Sequence, residues 1–178
     1  LYIIRGAKER VSIPAQTPVD LTMKRWIGIA TGAVFLQILL GGLVRHTESS
    51  LACTDLPLCS GNALFPTDEV GVYIHMFHRM LGILVAIIVL TASHFVWHRS
   101  KGLANERSYR LLAVVAPVMV LLQITLGVLT VYYFRPVSLA VAHFGGAAIL
   151  WCVWMSLYLM SSKYHSVALG TAPDYSQP

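Results

Sequence analysis

The 178-residue chain is 56% hydrophobic and only 12% charged, with a mean hydropathy of +0.66, which excludes an ordinary soluble domain and indicates an integral membrane protein. Its formal charge of +5 would point to nucleic acid in a soluble protein. Here the basic residues are distributed as a membrane topology signal, so no nucleic-acid partner is expected and the partner implied is membrane lipid.

Four apolar runs, residues 27–44, 72–96, 111–134 and 137–160, approach or exceed the length of about 20 residues that a hydrocarbon core requires. Ten of the thirteen Lys and Arg residues fall before the first run, between the second and third, or after the fourth. The bias predicts a multi-pass protein with both termini in the cytoplasm and residues 45–71 outside it. The expected organisation is a cytoplasmic lead-in over residues 1–25, a four-helix membrane bundle over 26–161, and a polar cytoplasmic tail over 162–178 that carries no fixed structure. Because the chain starts at Leu1 and not at Met, its native N-terminus is expected to have been trimmed or to lie upstream.

The first span carries Gln37 and the pair Gly41 and Gly42, small residues that permit close approach of a neighbouring helix or a flat cofactor. The loop that follows, residues 45–71, is longer than an ordinary helix connection and contains LACTDLPLC, with Cys53 and Cys59. This spacing does not suit zinc, and outside the cytoplasm the pair predicts a disulfide, either a structural clip or a redox-active bond.

The second span opens with VYIHMFHRMLG, which sets His75, His78 and Arg79 into a membrane-length run. Titratable groups there are costly and mark function. His94 and His98 at its far end read as interfacial residues without a role. A short basic link leads to the third span, where Pro117 predicts a kink and Tyr132 and Tyr133 an aromatic belt. Arg135 and Pro136 turn the chain into the fourth span, which opens VSLAVAH and ends that motif on His143. Cys152, further along, reads as inert packing.

An internal repeat runs through this layout. FLQILLGGLV of the first span echoes LLQITLGVLT of the third, and VYIHMFH of the second echoes VSLAVAH of the fourth. The fold class expected is thus an all-α membrane protein, a four-helix bundle built from two repeated helix pairs. Each copy holds a histidine roughly 9 Å along its helix. His78 and His143 therefore lie level on helices that run the same way, as a bis-imidazole haem site needs. The competing reading is a transition-metal site on His75 and His78, which share a helix face, although no carboxylate lies at that depth. Arg45, Arg79 and Arg135 are candidates to pair with haem propionates, or else ordinary interfacial residues.

These motifs resemble the haem A synthase family: GGLVRHTESSLACTDLPLC its first outer loop, HMFHR its second-helix histidine motif, and LQITLGVLTV with AHFGGA its third and fourth helices. The resemblance spans about residues 26–155. It implies a four-helix haem-binding bundle with His78 and His143 as ligands to a b- or o-type haem, in a bacterial or archaeal plasma membrane. It further implies that haem O is the substrate, oxidised at a ring methyl to the formyl of haem A for terminal oxidases, and that Cys53 and Cys59 take part in redox handling. A haem O synthase or a terminal oxidase is an expected partner.

In two respects the chain departs from the family. Typical bacterial members hold two such bundles, so a second copy of the chain or a second four-helix bundle is an expected partner. Where members often carry Glu three residues before the second-helix histidine, this chain has His75, the candidate catalytic group. The alternative function is a non-enzymatic b-type cytochrome subunit that passes electrons in a membrane respiratory complex.

Overall fold

The computed structural model describes residues 19–56, 58–59 and 68–170. Four helices account for most of them: α1 (Leu21–His46), α2 (Val70–Arg99), α3 (Glu106–Tyr132) and α4 (Val137–Gly170). A single 3-10 turn, Ser49–Leu51, stands in the loop after α1. All four helices are long and apolar enough to cross a membrane, and the protein is an all-α membrane bundle.

Each helix starts at or before its apolar run, and all but α3, which ends at Tyr132, extend past its end. Helix α1 begins six residues before the first run because Asp20 caps it, its carboxylate accepting from the Met23 N–H at 3.2 Å. Lys24 and Arg25, expected in the lead-in, are therefore helical. Helix α4 continues to Gly170, beyond the point where the tail was expected to lose its structure. Pro117 sits inside α3, which runs unbroken from Glu106 to Tyr132. The remainder of the expected lead-in and tail, residues 1–18 and 171–178, lies outside the described residues.

The helices pack as a ring, α1 on α2, α2 on α3, α3 on α4 and α4 on α1. Helices α1 and α3 thus face each other across the bundle axis, as do α2 and α4. One end carries the cysteine loop and the α3–α4 turn, the other the link between α2 and α3. At the link end Asp20 and Arg99 form an ion pair, and Trp26 stacks on Phe95 with ring centres 5.5 Å apart.

The packed core fills only the link-end half of this ring. It comprises Met23, Ile27, Ala30 and Val34 of α1, Val85, Val89, Ala92 and Val96 of α2, Tyr109, Ala113, Ala116 and Val120 of α3, and Leu150, Trp154 and Leu157 of α4. The apolar core stops at the same level on all four helices, at Val34, Val85, Val120 and Leu150. The next residues toward the loop end on the inward faces are Gln37, Gly82, Gln123 and Gly146. Polar amides and glycines thus replace close-packed aliphatic groups, and this change of material positions the site.

Candidate functional site

Above that level, His78 of α2 and His143 of α4 face each other across the axis, with ring centres 6.4 Å apart and planes at 86°. Both side chains are half-buried. Each imidazole lies against a glycine of the neighbouring helix. A Cβ on Gly41 would sit 3.1 Å from Cε1 of His78, and one on Gly127 would sit 3.2 Å from Cε1 of His143. Any larger residue at either position would crowd the ring, so the Leu-Gly step of both echo motifs has a concrete use.

One turn before each of these glycines stands a glutamine. Gln37 Nε2 donates to the His78 carbonyl oxygen at 3.0 Å and lies 3.2 Å from Nδ1 of the same histidine. Gln123 is buried over the other pair, and its side-chain amide occupies the space that a Cβ on Gly146 would need. A Cβ on Gly82 would likewise come within 3.1 Å of Gln37 Nε2. Each helix pair therefore carries the same trio of glutamine, glycine and histidine. The two glutamines were not among the expected site residues. The signal that finds them is the echo itself, since Leu-Gln-Ile is the part of it that packing alone does not need.

Among the described residues, five buried polar atoms without a hydrogen-bond partner lie in this layer. Gln37 Oε1, His75 Nδ1, His143 Nδ1 and both amide atoms of Gln123 are buried and make no hydrogen bond. His75, one turn before His78, is only 4% exposed. A buried polar group without a partner costs about 1–3 kcal/mol, so a cluster of them marks a place built to hold something polar or metallic. Among the described residues no three His, Cys, Asp or Glu side chains converge as a protein-only metal site. His94 and His98 stack on each other at 4.4 Å near the link end, roughly 24 Å along α2 from His78, and take no part in the layer.

The three arginines lie at the loop end. Arg79 reaches into the cysteine loop, donating to the carbonyl oxygens of Cys53 at 2.5 Å and Asp55 at 2.8 Å. Arg45 and Arg135 converge on one carboxylate: Arg45 Nη1 meets Glu48 Oε1 at 2.8 Å and Arg135 Nη1 meets Glu48 Oε2 at 2.6 Å. Beside this rim, Gly42, Arg45, His46, Glu48 and Phe144 line a cavity of about 410 Å³ between α1 and α4. Gly42 and Phe144 are the sequence neighbours of Gly41 and His143, although neither Gly41 nor His143 lines the cavity.

Cys53 and Cys59 are joined as a disulfide, with Cα atoms 5.3 Å apart. The bond is not on display. Both cysteines are buried against Val72 and Met76, on the turn of α2 that carries His75. Cys152 is a free thiol exposed on α4, not packed inside the bundle as expected.

A sequence model for cytochrome oxidase assembly proteins (COX15-CtaA) matches residues 18–155. Among curated relatives, "Heme A synthase" of Bacillus cereus (strain 03BB102) is 30% identical over 151 residues, covering 82% of this chain and 45% of the relative. "Heme A synthase" of Lysinibacillus sphaericus (strain C3-41) is 33% identical over 121 residues, 67% of this chain and 38% of the relative. The protein of the same name from Shewanella oneidensis is 29% identical over 156 residues, 74% of this chain and 45% of the relative. The chain thus spans less than half the length of these relatives.

Proposed function

The chain belongs to the haem A synthase (COX15-CtaA) family of cytochrome oxidase assembly proteins, and on that footing we propose that it binds haem between His78 and His143 and acts in the oxidation of haem O to haem A. The observation that carries the reading is the opposed imidazole pair at 6.4 Å. A metal held between two imidazole nitrogens at about 2 Å each, with each ring centre roughly 1 Å further out, sets the centres roughly 6 Å apart. The separation fits one iron. The glycines behind each ring fit the same group, and at His78 so does the contact of Nδ1 with Gln37, because ligating histidines use their second nitrogen to hold orientation.

Haem, when bound, supplies the redox chemistry. The chain's own residues supply the rest. His78 and His143 are the ligands, and Gln37 steadies His78 at Nδ1, leaving Nε2 as the nitrogen for a metal. A half-turn of the Gln37 amide reverses the roles, its oxygen then accepting from Nδ1–H. Arg45 and Arg135 at the rim suit the propionates, with Arg79 a third candidate whose two loop bonds would have to be shared. His75, buried one turn from His78 with Nδ1 unsatisfied, is the group we assign to holding or moving a proton during the oxidation. The apolar floor from Val34 to Leu150 excludes water from the link-end side.

The wider assignments rest on the same footing. The basic bias supports a plasma-membrane protein with cytoplasmic termini and the disulfide loop outside. The shared glutamine–glycine–histidine trio supports two repeated pairs. The relatives' greater length supports a second bundle, from another copy, another chain or a further segment of this one. A haem O synthase and a terminal oxidase would stand before and after it.

The test is pigment analysis after expression in a host lacking its own synthase, alone and with a second-bundle partner. Haem A is expected, and His75→Ala should retain haem while stopping conversion. His78→Ala and His143→Ala should each cut haem content at least about tenfold, as loss of one of the two residues that would hold it implies, whereas His94→Ala and His98→Ala should not. Full haem occupancy in both ligand variants would sink the site. Haem bound but never converted would leave a b-type electron carrier.

A further inference from the structure

Among the described residues, the non-glycine residues with left-handed backbone are Glu48 (φ 55°), Phe134 (φ 55°) and Arg135 (φ 64°). Such a conformation costs about 1–2 kcal/mol per residue and is kept where something depends on it. All three stand at the loop-end rim, in two different connections. Two of them, Glu48 and Arg135, are partners in the ion pair that joins those connections. The strained backbone is what aims the groups at one another.

The pair is built to be displaced. Glu48 holds Arg45 with one oxygen and Arg135 with the other, so a single carboxylate occupies both guanidinium groups. Glu48 and Arg45 are both about two-thirds exposed, and exposed ion pairs are individually weak. Glu48 and Arg45 also line the loop-end cavity, together with Gly42, His46 and Phe144.

We propose that Glu48 is an exchangeable internal counter-ion: a built-in carboxylate that occupies Arg45 and Arg135 until the carboxylates of a porphyrin displace it, and that reclaims them when the porphyrin leaves. This rests on the reading of His78 and His143 as a haem site, and it adds how that site lets its ligand go. A protein whose porphyrin is substrate and product must release it. Two unopposed guanidinium groups at the exit would hold the carboxylates and slow that step. The competing Glu48 lowers the cost of departure, because the arginines are never left bare.

The test measures release from the intact membrane protein in detergent. The protein is loaded with iron protoporphyrin IX or with its dimethyl ester, which has no free carboxylates, and mixed with excess apomyoglobin as acceptor. Glu48→Gln should slow release of the acid form by roughly three- to fivefold, the weight of an exposed charge pair, and leave release of the ester unchanged. Glu48→Asp, made alongside in case the first variant does not fold, should act in the same direction by a smaller factor. Equal effects on acid and ester would make Glu48 a structural tie and overturn the proposal, as would unchanged or faster release of the acid form. If the unaltered protein retains neither porphyrin, the haem site itself fails.

Discussion

A methyl group added at Gly41 would lie 3.1 Å from Cε1 of His78, closer than a methyl and an imidazole sit without one of them moving. The adjacent Gly42 offers the control, since a Cβ there meets nothing within 4 Å. The same contrast recurs on the other pair, between Gly127 at 3.2 Å from His143 and Gly145 with open space. Gly41→Ala and Gly127→Ala should lower haem occupancy, read from the Soret band per protein, with an overpacking cost of about 1–3 kcal/mol. Gly42→Ala and Gly145→Ala should leave occupancy unchanged. Equal losses in all four would mean that the glycines serve helix flexibility and not the rings.

Ion pairs join the elements at both ends of the bundle. Asp20 caps α1 and pairs with Arg99 at the end of α2, and Glu48 joins the end of α1 to the turn before α4. Both carboxyls sit below the ordinary carboxylate range. For Asp20, slight burial acts to raise the pKa, but the Arg99 guanidinium and the Met23 N–H together outweigh it. For Glu48, the hydrogen bond from Arg135 leads and Arg45 adds to it. A depressed folded-state pKa stabilises fully above the unfolded value, and the benefit is lost as pH falls through the folded value. The melting temperature should therefore decline as pH drops below about 4, and the decline should be shallower in Asp20→Asn/Glu48→Gln. Identical slopes would show that these pairs do not stabilise the fold.

On the scale of the whole molecule, the buried disulfide changes how topology is best probed. Reduced Cys53 and Cys59 should react only slowly with a membrane-impermeant thiol reagent applied from the loop side, because Val72 and Met76 cover them. Arg79→Ala, which removes the two bonds to the loop carbonyls, should speed that labelling. Reaction solely from the opposite side would reverse the orientation. Much of this molecule was legible beforehand. The four spans follow from apolar run length, and the opposition of His78 and His143 from the echo between helix pairs. The contacts that complete the site were not legible. Which side of α1 Gln37 faces, and that Glu48 gathers both Arg45 and Arg135, depend on how two helices and two connections meet. Periodicity along one helix carries no record of that. Nor does spacing reveal whether a loop disulfide is covered.

The apolar floor would bear on where the proposed site's protons come from. The close-packed floor between Val34, Val85, Val120 and Leu150 would work as a dielectric plug between the layer above and the link end. Chemistry at His75 and His78 would then equilibrate with the acidity of the loop-side compartment, insulated from the pH at the link end. In a membrane that carries a proton gradient, the two faces would have unequal authority over this one reaction.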